Sequence, residues 1–388
     1  MEFIIKKKHI LILRTSSLII DFRTYNCQET GLATVLVKKG YRVSFVTPGL
    51  KNEHIQLPVS QNGVVDVYTV TFSRLNRNIC WYHGFFKLMK SIKPDLLHIN
   101  SISLSMSLFA LLWAKKNSIQ TVVIQGNYDV THKPLLKQLE QCFNHTIGRY
   151  IIEHTNGIGC KTRWAADFIK QYSPKAEVHL TRIGLDTTKF THDIEIDWRN
   201  KLGIDTENKV LLYVGALESR RNPLFLIDIL RELSNEYVLI IVGKGSLEKD
   251  LANTINRYSL TPRCYMLGQL EQEKLPSLYK QSDLFLLPSS YEIFGMVILE
   301  SMYFGTPVIS TLSAGSDVII QDQADGIIIK ELDAKQWQTS ITDLLKNEQK
   351  FKRMCEAAKK KIIEHLTWEK TANEFIDLYE KAFKNAKK

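Results

Sequence analysis

Two successive series of short apolar runs and helical stretches constrain the fold of this chain more than any other feature. In the first series, residues 8–13, 41–47, 64–72, 95–99, 121–124, 158–161 and 178–181 read as strands. Residues 24–39, part of 75–92, 104–116, 133–155 and 164–172 read as helices, the first of them closed by Gly40. The second series has strands at 210–214, 237–242, 264–267, 284–287, 307–310 and 326–329. Its helices fall at 222–234, after Gly245 to Arg257, at 275–281 and at 296–304, and the chain is helical from Ala334 onward, with a break at Thr367-Trp368-Glu369. Strand and helix in alternation predict parallel sheets with crossover helices on both faces. A chain of 388 residues exceeds one ordinary core. The expectation is therefore α/β, two doubly wound Rossmann-like domains, with a boundary near 184–189.

The second series contains the stretch richest in chemistry, Tyr-Glu-Ile-Phe-Gly-Met-Val-Ile-Leu-Glu at 291–300. A buried strand ends in Pro288-Ser289-Ser290, and a helix opens at about Gly295. In open α/β sheets ligands bind beyond the carboxyl ends of strands, where helix N-termini turn free amides toward anions. Glu292 and Glu300 are eight positions apart, a little over two helical turns, so Glu300 can share the face of the helix start. That arrangement suits a sugar diphosphate: the diphosphate on the amides of Gly295 and Met296, one carboxylate on sugar hydroxyls, the other on ribose. A helix with two solvated glutamates fits the spacing alone, but the Phe-Gly pair and the Pro-Ser strand end favour the binding reading.

Charge is unevenly spread. Residues 1–182 carry a net +13 and the remainder −3. A basic first half suggests an anionic partner, either nucleic acid, a membrane surface or a lipid phosphate, or else only a solvated basic surface. Neither a recognition helix nor a stacking platform is evident, so nucleic acid is not expected. Residues 77–93 mix Trp81, Tyr82, Phe85, Phe86, Leu88 and Met89 with Arg77, Lys87, Lys90 and Lys93, a composition that fits an interfacial amphipathic segment or ordinary core. The longest apolar stretch, 104–114, is too short to span a bilayer, and residues 3–13 read as a first strand and not a signal peptide. The six cysteines are scattered and read as reduced thiols of a cytoplasmic protein; no cluster has metal-ligand spacing.

Taken together, these stretches resemble the retaining family 4 glycosyltransferases of the GT-B fold, in particular bacterial polysaccharide enzymes. The resemblance runs through Gln28-Glu29-x-Gly31, Asp95 to His98, Arg182-Ile183-Gly184-Leu185-Asp186, Val214-Gly215, Arg221-Asn222-Pro223, Val242-Gly243-Lys244-Gly245, Glu292 to Glu300 and Thr367-Trp368-Glu369. It implies an acceptor-binding domain of residues 1–183 plus 368–388, a nucleotide-sugar-binding domain of 184–367, and an active-site cleft between them. It assigns Glu292 to the transferred sugar, Glu300 to the ribose, the amides of Phe294, Gly295 and Met296 to the diphosphate, and Arg221 to the place of the family's phosphate-binding lysine. Gly215 and Lys244 complete the donor set. A guanidinium suits a departing diphosphate, which gathers negative charge.

Two positions depart from the family pattern. Ala216 stands where an arginine is usual, and Gln125 where a histidine is usual beside the reacting carbon. Front-side attack with the leaving phosphate as base needs positioning more than an enzymic base, and Gln125 could hold the sugar. Asp129 and His132 are outside candidates for proton transfer. Asn26, Gln28 and Lys161 are candidates for the acceptor, although Lys161 could simply cap the next helix, and His98 is more naturally a satisfied polar residue. The expected activity is transfer of a hexose or N-acetylhexosamine from a UDP- or GDP-sugar to a glycan, carried on a polyprenyl diphosphate at the cytoplasmic membrane face, with no cofactor and no metal. The alternatives are a non-catalytic glycosyltransferase-like subunit and a nucleotide-sugar epimerase of the same fold.

Overall fold

A computed structural model describes residues 8–22, 27–60, 63–76, 79–129, 134–190 and 194–385. It divides into two units, Met1–Gly184 with Trp368–Lys388, and Leu185–Thr367.

Unit 1 contains, in chain order, β1 (His9–Leu13), α1 (Gln28–Lys38), β2 (Arg42–Pro48), β3 (Glu53–Ser60), β4 (Gly63–Val70), β5 (Phe72–Arg74), β6 (Cys80–Tyr82), α2 (Phe85–Ile92), β7 (Leu96–Asn100), α3 (Ser105–Lys116), β8 (Gln120–Gln125), α4 (Pro134–Phe143), α5 (Arg149–His154), β9 (Gly157–Cys160), α6 (Arg163–Tyr172) and β10 (His179–Leu180). A π turn, Asn144–Gly148, joins α4 to α5. The main sheet runs β10-β9-β8-β7-β1-β2-β4-β3. It is parallel except for β3, which lies antiparallel on β4. The sequence reading places no strand at β3. Pro58 sits within it, a residue that sheets tolerate at an edge, where no ladder bond is lost. The central strand β1 is buried at every position, as a strand covered on both faces must be. β5 and β6 form a separate two-stranded ribbon.

Unit 2 contains α7 (Trp198–Leu202), β11 (Lys209–Val214), α8 (Phe225–Glu232), β12 (Tyr237–Val242), α9 (Glu248–Arg257), β13 (Cys264–Gly268), α10 (Leu275–Lys280), β14 (Leu284–Leu287), α11 (Met296–Tyr303), β15 (Val308–Thr311), α12 (Ala314–Ile319), β16 (Gly326–Ile329), α13 (Ala334–Lys346) and α14 (Glu348–His365). Its sheet is ordered β13-β12-β11-β14-β15-β16 and wholly parallel. The last helix, α15 (Trp368–Asn385), belongs to unit 1, where Trp368, Phe375, Leu378 and Tyr379 are buried.

Among the described residues no helix is long and apolar enough to cross a membrane. All six cysteines are free, and burial pushes the Cys27, Cys160 and Cys264 thiols up to about 12, which keeps them protonated and unreactive.

Candidate active site

The strand order of unit 2 reverses between β11 and β14. Chain growth proceeds outward on one side through β12 and β13, and on the other through β15 and β16. A crevice opens at such a switch point, because the two flanking loops leave in opposite directions. The loop after β11 carries Gly215 to Arg221, and the loop after β14 carries Ser289 to Gly295.

These two loops are laced together. Asn222 Nδ2 donates to Pro288 O at 2.8 Å and to Ser290 Oγ at 2.6 Å, and Ser290 N donates to Arg220 O at 2.9 Å. Across the seam Arg221 Nη1 meets Glu292 Oε2 at 2.5 Å. The approach is close but poorly aligned: Arg221 Nε and Nη1 and Glu292 Oε2 are buried, and none makes a hydrogen bond within the protein. Buried polar groups are normally hydrogen-bonded, so three left open at one point of the crevice call for an explanation, and a bound ligand supplies one. Arg221 also sits differently from expectation. The sequence reading starts a helix at Asn222, but Ser219–Arg221 form a single tight turn, Asn222 adopts a left-handed φ of 49°, and α8 begins only at Phe225. Pro223 is the cause, since its ring excludes helical geometry at the preceding residue.

Phe294 is buried, Gly295 takes a left-handed φ of 84°, and α11 starts at Met296, where the amides of Met296 and Val297 have no intrahelical acceptor and that of Ile298 turns back to Gly295 O at 2.9 Å. Gly315 N, in α12, donates to Glu292 O at 3.1 Å and braces this loop from behind. The sequence reading missed α12, whose six residues are too few to show a period. Its one signal is the reciprocal Ser313 and Ser316 cap. Glu300 is 3% exposed and accepts from Tyr279 Oη at 2.9 Å. Gly215 N bonds Val242 O at 2.9 Å, and Ala216 O receives Tyr213 Oη at 3.0 Å. A side chain at Gly243 would begin 1.9 Å from Gly215 O, so only glycine lets the loops after β11 and β12 lie on each other. Lys244, beside it, is exposed.

Unit 1 has its own switch point, between β1 and β7. There Arg14 Nη1 meets Glu29 Oε1 at 2.9 Å, and Asn100 Nδ2 donates to the same oxygen at 2.8 Å. Lys161 Nζ donates to Gln28 Oε1 at 2.8 Å. Behind them His98 Nδ1 lies 2.7 Å from Tyr379 Oη, and His98 Nε2 lies 3.2 Å from Asn100 Oδ1. Asn100 spends its N–H on Glu29, so its oxygen accepts; Nε2 then carries the imidazole proton and Nδ1 accepts from Tyr379. Burial holds His98 at about 4, neutral at physiological pH. Burial opposes the charge on Glu29, but Arg14 and Lys161 outweigh it and hold the carboxyl below the usual range. Burial also depresses Lys161, against the pull of Glu29.

Gln28 and Lys161 are thus together. Asn26 and His132 fall outside the described residues, and Asp129 is exposed on the loop after β8. Gln125 differs from its expected part. It is fully buried, its Oε1 accepts from Ile102 N at 3.1 Å and its Nε2 donates to Asn127 O at 2.8 Å, so both ends of the amide tie loops and its donors face the protein. Arg14 and Asn100 were not singled out from sequence, because only sheet order brings the ends of β1 and β7 side by side.

Comparison with known proteins agrees with this architecture. Residues 30–189 match the model of Glycosyltransferase Family 4, and residues 195–361 match Glycosyl transferases group 1. The chain belongs to the family 4 glycosyltransferases of the GT-B fold. An uncharacterized glycosyltransferase of Methanocaldococcus jannaschii is 28% identical over 218 residues, 53% of this chain and 55% of that protein. The D-inositol 3-phosphate glycosyltransferase of Corynebacterium urealyticum is 30% identical over 220 residues, 53% of this chain and 52% of its own. The chain spans about half the length of these curated relatives. Sucrose-phosphate synthase from Thermosynechococcus elongatus superposes with a TM-score of 0.77 at 16% identity, over 98% of this chain and 100% of that one. Anabaena HepE in complex with UDP superposes with a TM-score of 0.76 at 16% identity, over 96% and 99%.

Proposed function

We propose that this protein is a retaining glycosyltransferase that moves a hexosyl or N-acetylhexosaminyl group from a nucleoside-diphosphate sugar to a glycan acceptor. The observation that carries the reading is the Arg221 and Glu292 pair, set at the switch point of unit 2 with buried donors and an acceptor still open. In this reading Arg221, Lys244 and the first amides of α11 hold the diphosphate, Glu292 takes hydroxyls of the transferred sugar, and Glu300 takes the ribose. Unit 1 receives the acceptor at its own switch point, through Gln28 and Lys161 and with Arg14 beside them. The bond from the anomeric carbon to the diphosphate oxygen breaks with its electron pair on that oxygen. The acceptor hydroxyl closes the new bond on the same face and gives its proton to the departing phosphate. Arg221 stabilises the charge that gathers there. Neutralisation by protein groups makes the reaction metal-independent, so EDTA is expected to leave the rate unchanged.

Structures of HepE hold UDP and UDP-glucose, which favours a uridine over a guanosine donor. The basic first half supports an acceptor on a polyprenyl diphosphate at the inner membrane face, in the assembly of a surface polysaccharide. A panel of nucleotide sugars read by thermal shift tests the donor, since a ligand bound only to the folded state raises the melting temperature. Transfer of labelled sugar by wild type, but not by Glu292→Ala, supports the proposal. Intact transfer by that variant sinks it. If no nucleotide binds, a non-catalytic subunit is the better reading; turnover of the donor without acceptor points to an epimerase.

A further inference from the structure

We propose that unit 1 docks on an anionic lipid surface through the β5–β6 ribbon, the exposed side of α2 and one face of α3. Trp81, Phe86 and Phe109 join these elements, and further exposed apolar residues lie on the ribbon and on α3. Leu75 and Ile79 close the tip of the ribbon through Leu75 N to Ile79 O at 3.0 Å, and they are 82% and 45% exposed. Trp81, two residues beyond Ile79 and thus on the same face of the ribbon, packs edge-on against Phe86 of α2 at 5.6 Å and Phe109 of α3 at 5.0 Å. Leu112 follows Phe109 by three residues, on the same helical face. Phe86, Phe109 and Leu112 are each more than a third exposed, although their neighbours Phe85, Met89 and Leu111 are fully buried. An exposed aromatic and aliphatic patch of this kind marks an interaction surface.

Its charge selects the partner. Between Asp66 and Asp129 the chain has one carboxylate, Asp95, whose Oδ2 is taken up by His9 N at 2.7 Å. Arg74, Lys87, Lys90, Lys93, Lys115 and Lys116 lie on the same elements or at their ends, all exposed. None of them pairs with a carboxylate among the described residues. Phe86 and Lys90 are four apart on α2, so aromatic and cation share a helical face. A second copy of this chain would bring like charges together. A protein partner would more commonly meet a surface poor in lysine. Tryptophan and phenylalanine beside lysines, with exposed aliphatic residues at Leu75 and Ile79, match the interface of a bilayer carrying anionic headgroups. This surface lies within unit 1 and does not depend on the transfer reaction proposed above.

The full chain, without nucleotide or acceptor, is sedimented with vesicles of phosphatidylcholine alone or mixed with phosphatidylglycerol. Binding to the mixed vesicles at low salt, weakening as salt rises, is expected. Replacing Lys87 or Lys90 by Gln should weaken partitioning about fivefold each, and roughly 25-fold together. Phe86→Ser should weaken it about tenfold. Leu75→Ser, at the exposed tip, gives a second apolar test that leaves the core untouched. Acyl-chain-brominated lipid should quench Trp81 fluorescence, and the quenching should disappear in Trp81→Phe. Equal binding to neutral and anionic vesicles, or unchanged binding in all the variants, overturns the proposal. Absence of binding to either vesicle also overturns it and leaves an acidic protein surface as the partner.

Discussion

At the scale of single residues, the two switch points hold charge differently. In unit 2 the Arg221 and Glu292 charges touch without completing their hydrogen bonds, so each keeps capacity for a ligand. Under the proposed reaction, Arg221→Gln lowers kcat by about 10²–10³, the range for removing one group aimed at developing charge, and Glu292→Gln, which weakens charged hydrogen bonds to the sugar, lowers it by about 10–10². A fall in kcat of less than about threefold in either variant would remove that residue from the chemistry. In unit 1 a hydrogen-bonded chain runs from Arg14 Nη1 through Glu29 and Asn100 to His98 and Tyr379, although Arg14 Nε is buried without a partner. That chain has a pH consequence. The folded state holds His98 at about 4, below its ordinary 6.5, so between those values the unfolded chain binds more protons. The stability His98 contributes is whole above 6.5 and is lost as pH falls toward 4, by about 1.4 kcal/mol per pH unit. Melting curves over that range should show the slope, reduced in His98→Gln; an equal slope in the variant would assign it to other groups, His9 among them, whose pKa burial also lowers to about 4.

At the scale of elements, α1 and α15 show how the ends of the chain hold one unit. A β-carbon at Gly31 would begin 2.2 Å from the indole nitrogen of Trp368, so α1 lies against the start of α15 with no room for a side chain. Gly31→Ala should cost unit 1 about 1–3 kcal/mol through overpacking, despite alanine's better helix propensity. Trp368→Leu in the same chain should recover part of the loss, as denaturant midpoints would show. Additive destabilisation by the two substitutions would mean that they do not share this contact. Elements were legible where a period or a breaker was strong. The strand 237–242 and the strand 284–287 are observed with those bounds. The edge strand β3 and the six-residue α12 were not, because an edge strand with one proline and a single helical turn carry little periodic signal.

At the scale of the whole molecule, two cores predict two responses to ligand. A nucleotide that binds unit 2 stabilises that unit by about 2.7 kcal/mol at a hundredfold excess over Kd. Calorimetry with UDP should therefore shift the transition of unit 2 more than that of unit 1, whose acid sensitivity through His98 marks it independently. An equal shift of both would mean that the units unfold as one. The sequence by itself determined the α/β class, the two series of strands and helices, and the stretch from Glu292 to Glu300, because apolar period, glycine and proline act over a few neighbouring residues. Tertiary structure alone decided which strand ends adjoin. Sheet order places Arg14 beside Asn100 and brings Arg221 onto Glu292, and burial turns Gln125 inward to tie loops. It also left Phe86 exposed beside a buried Phe85, a choice that composition cannot make because it depends on which side of α2 meets the core. Contacts between residues distant in sequence are set by packing of whole elements, and no local pattern encodes them.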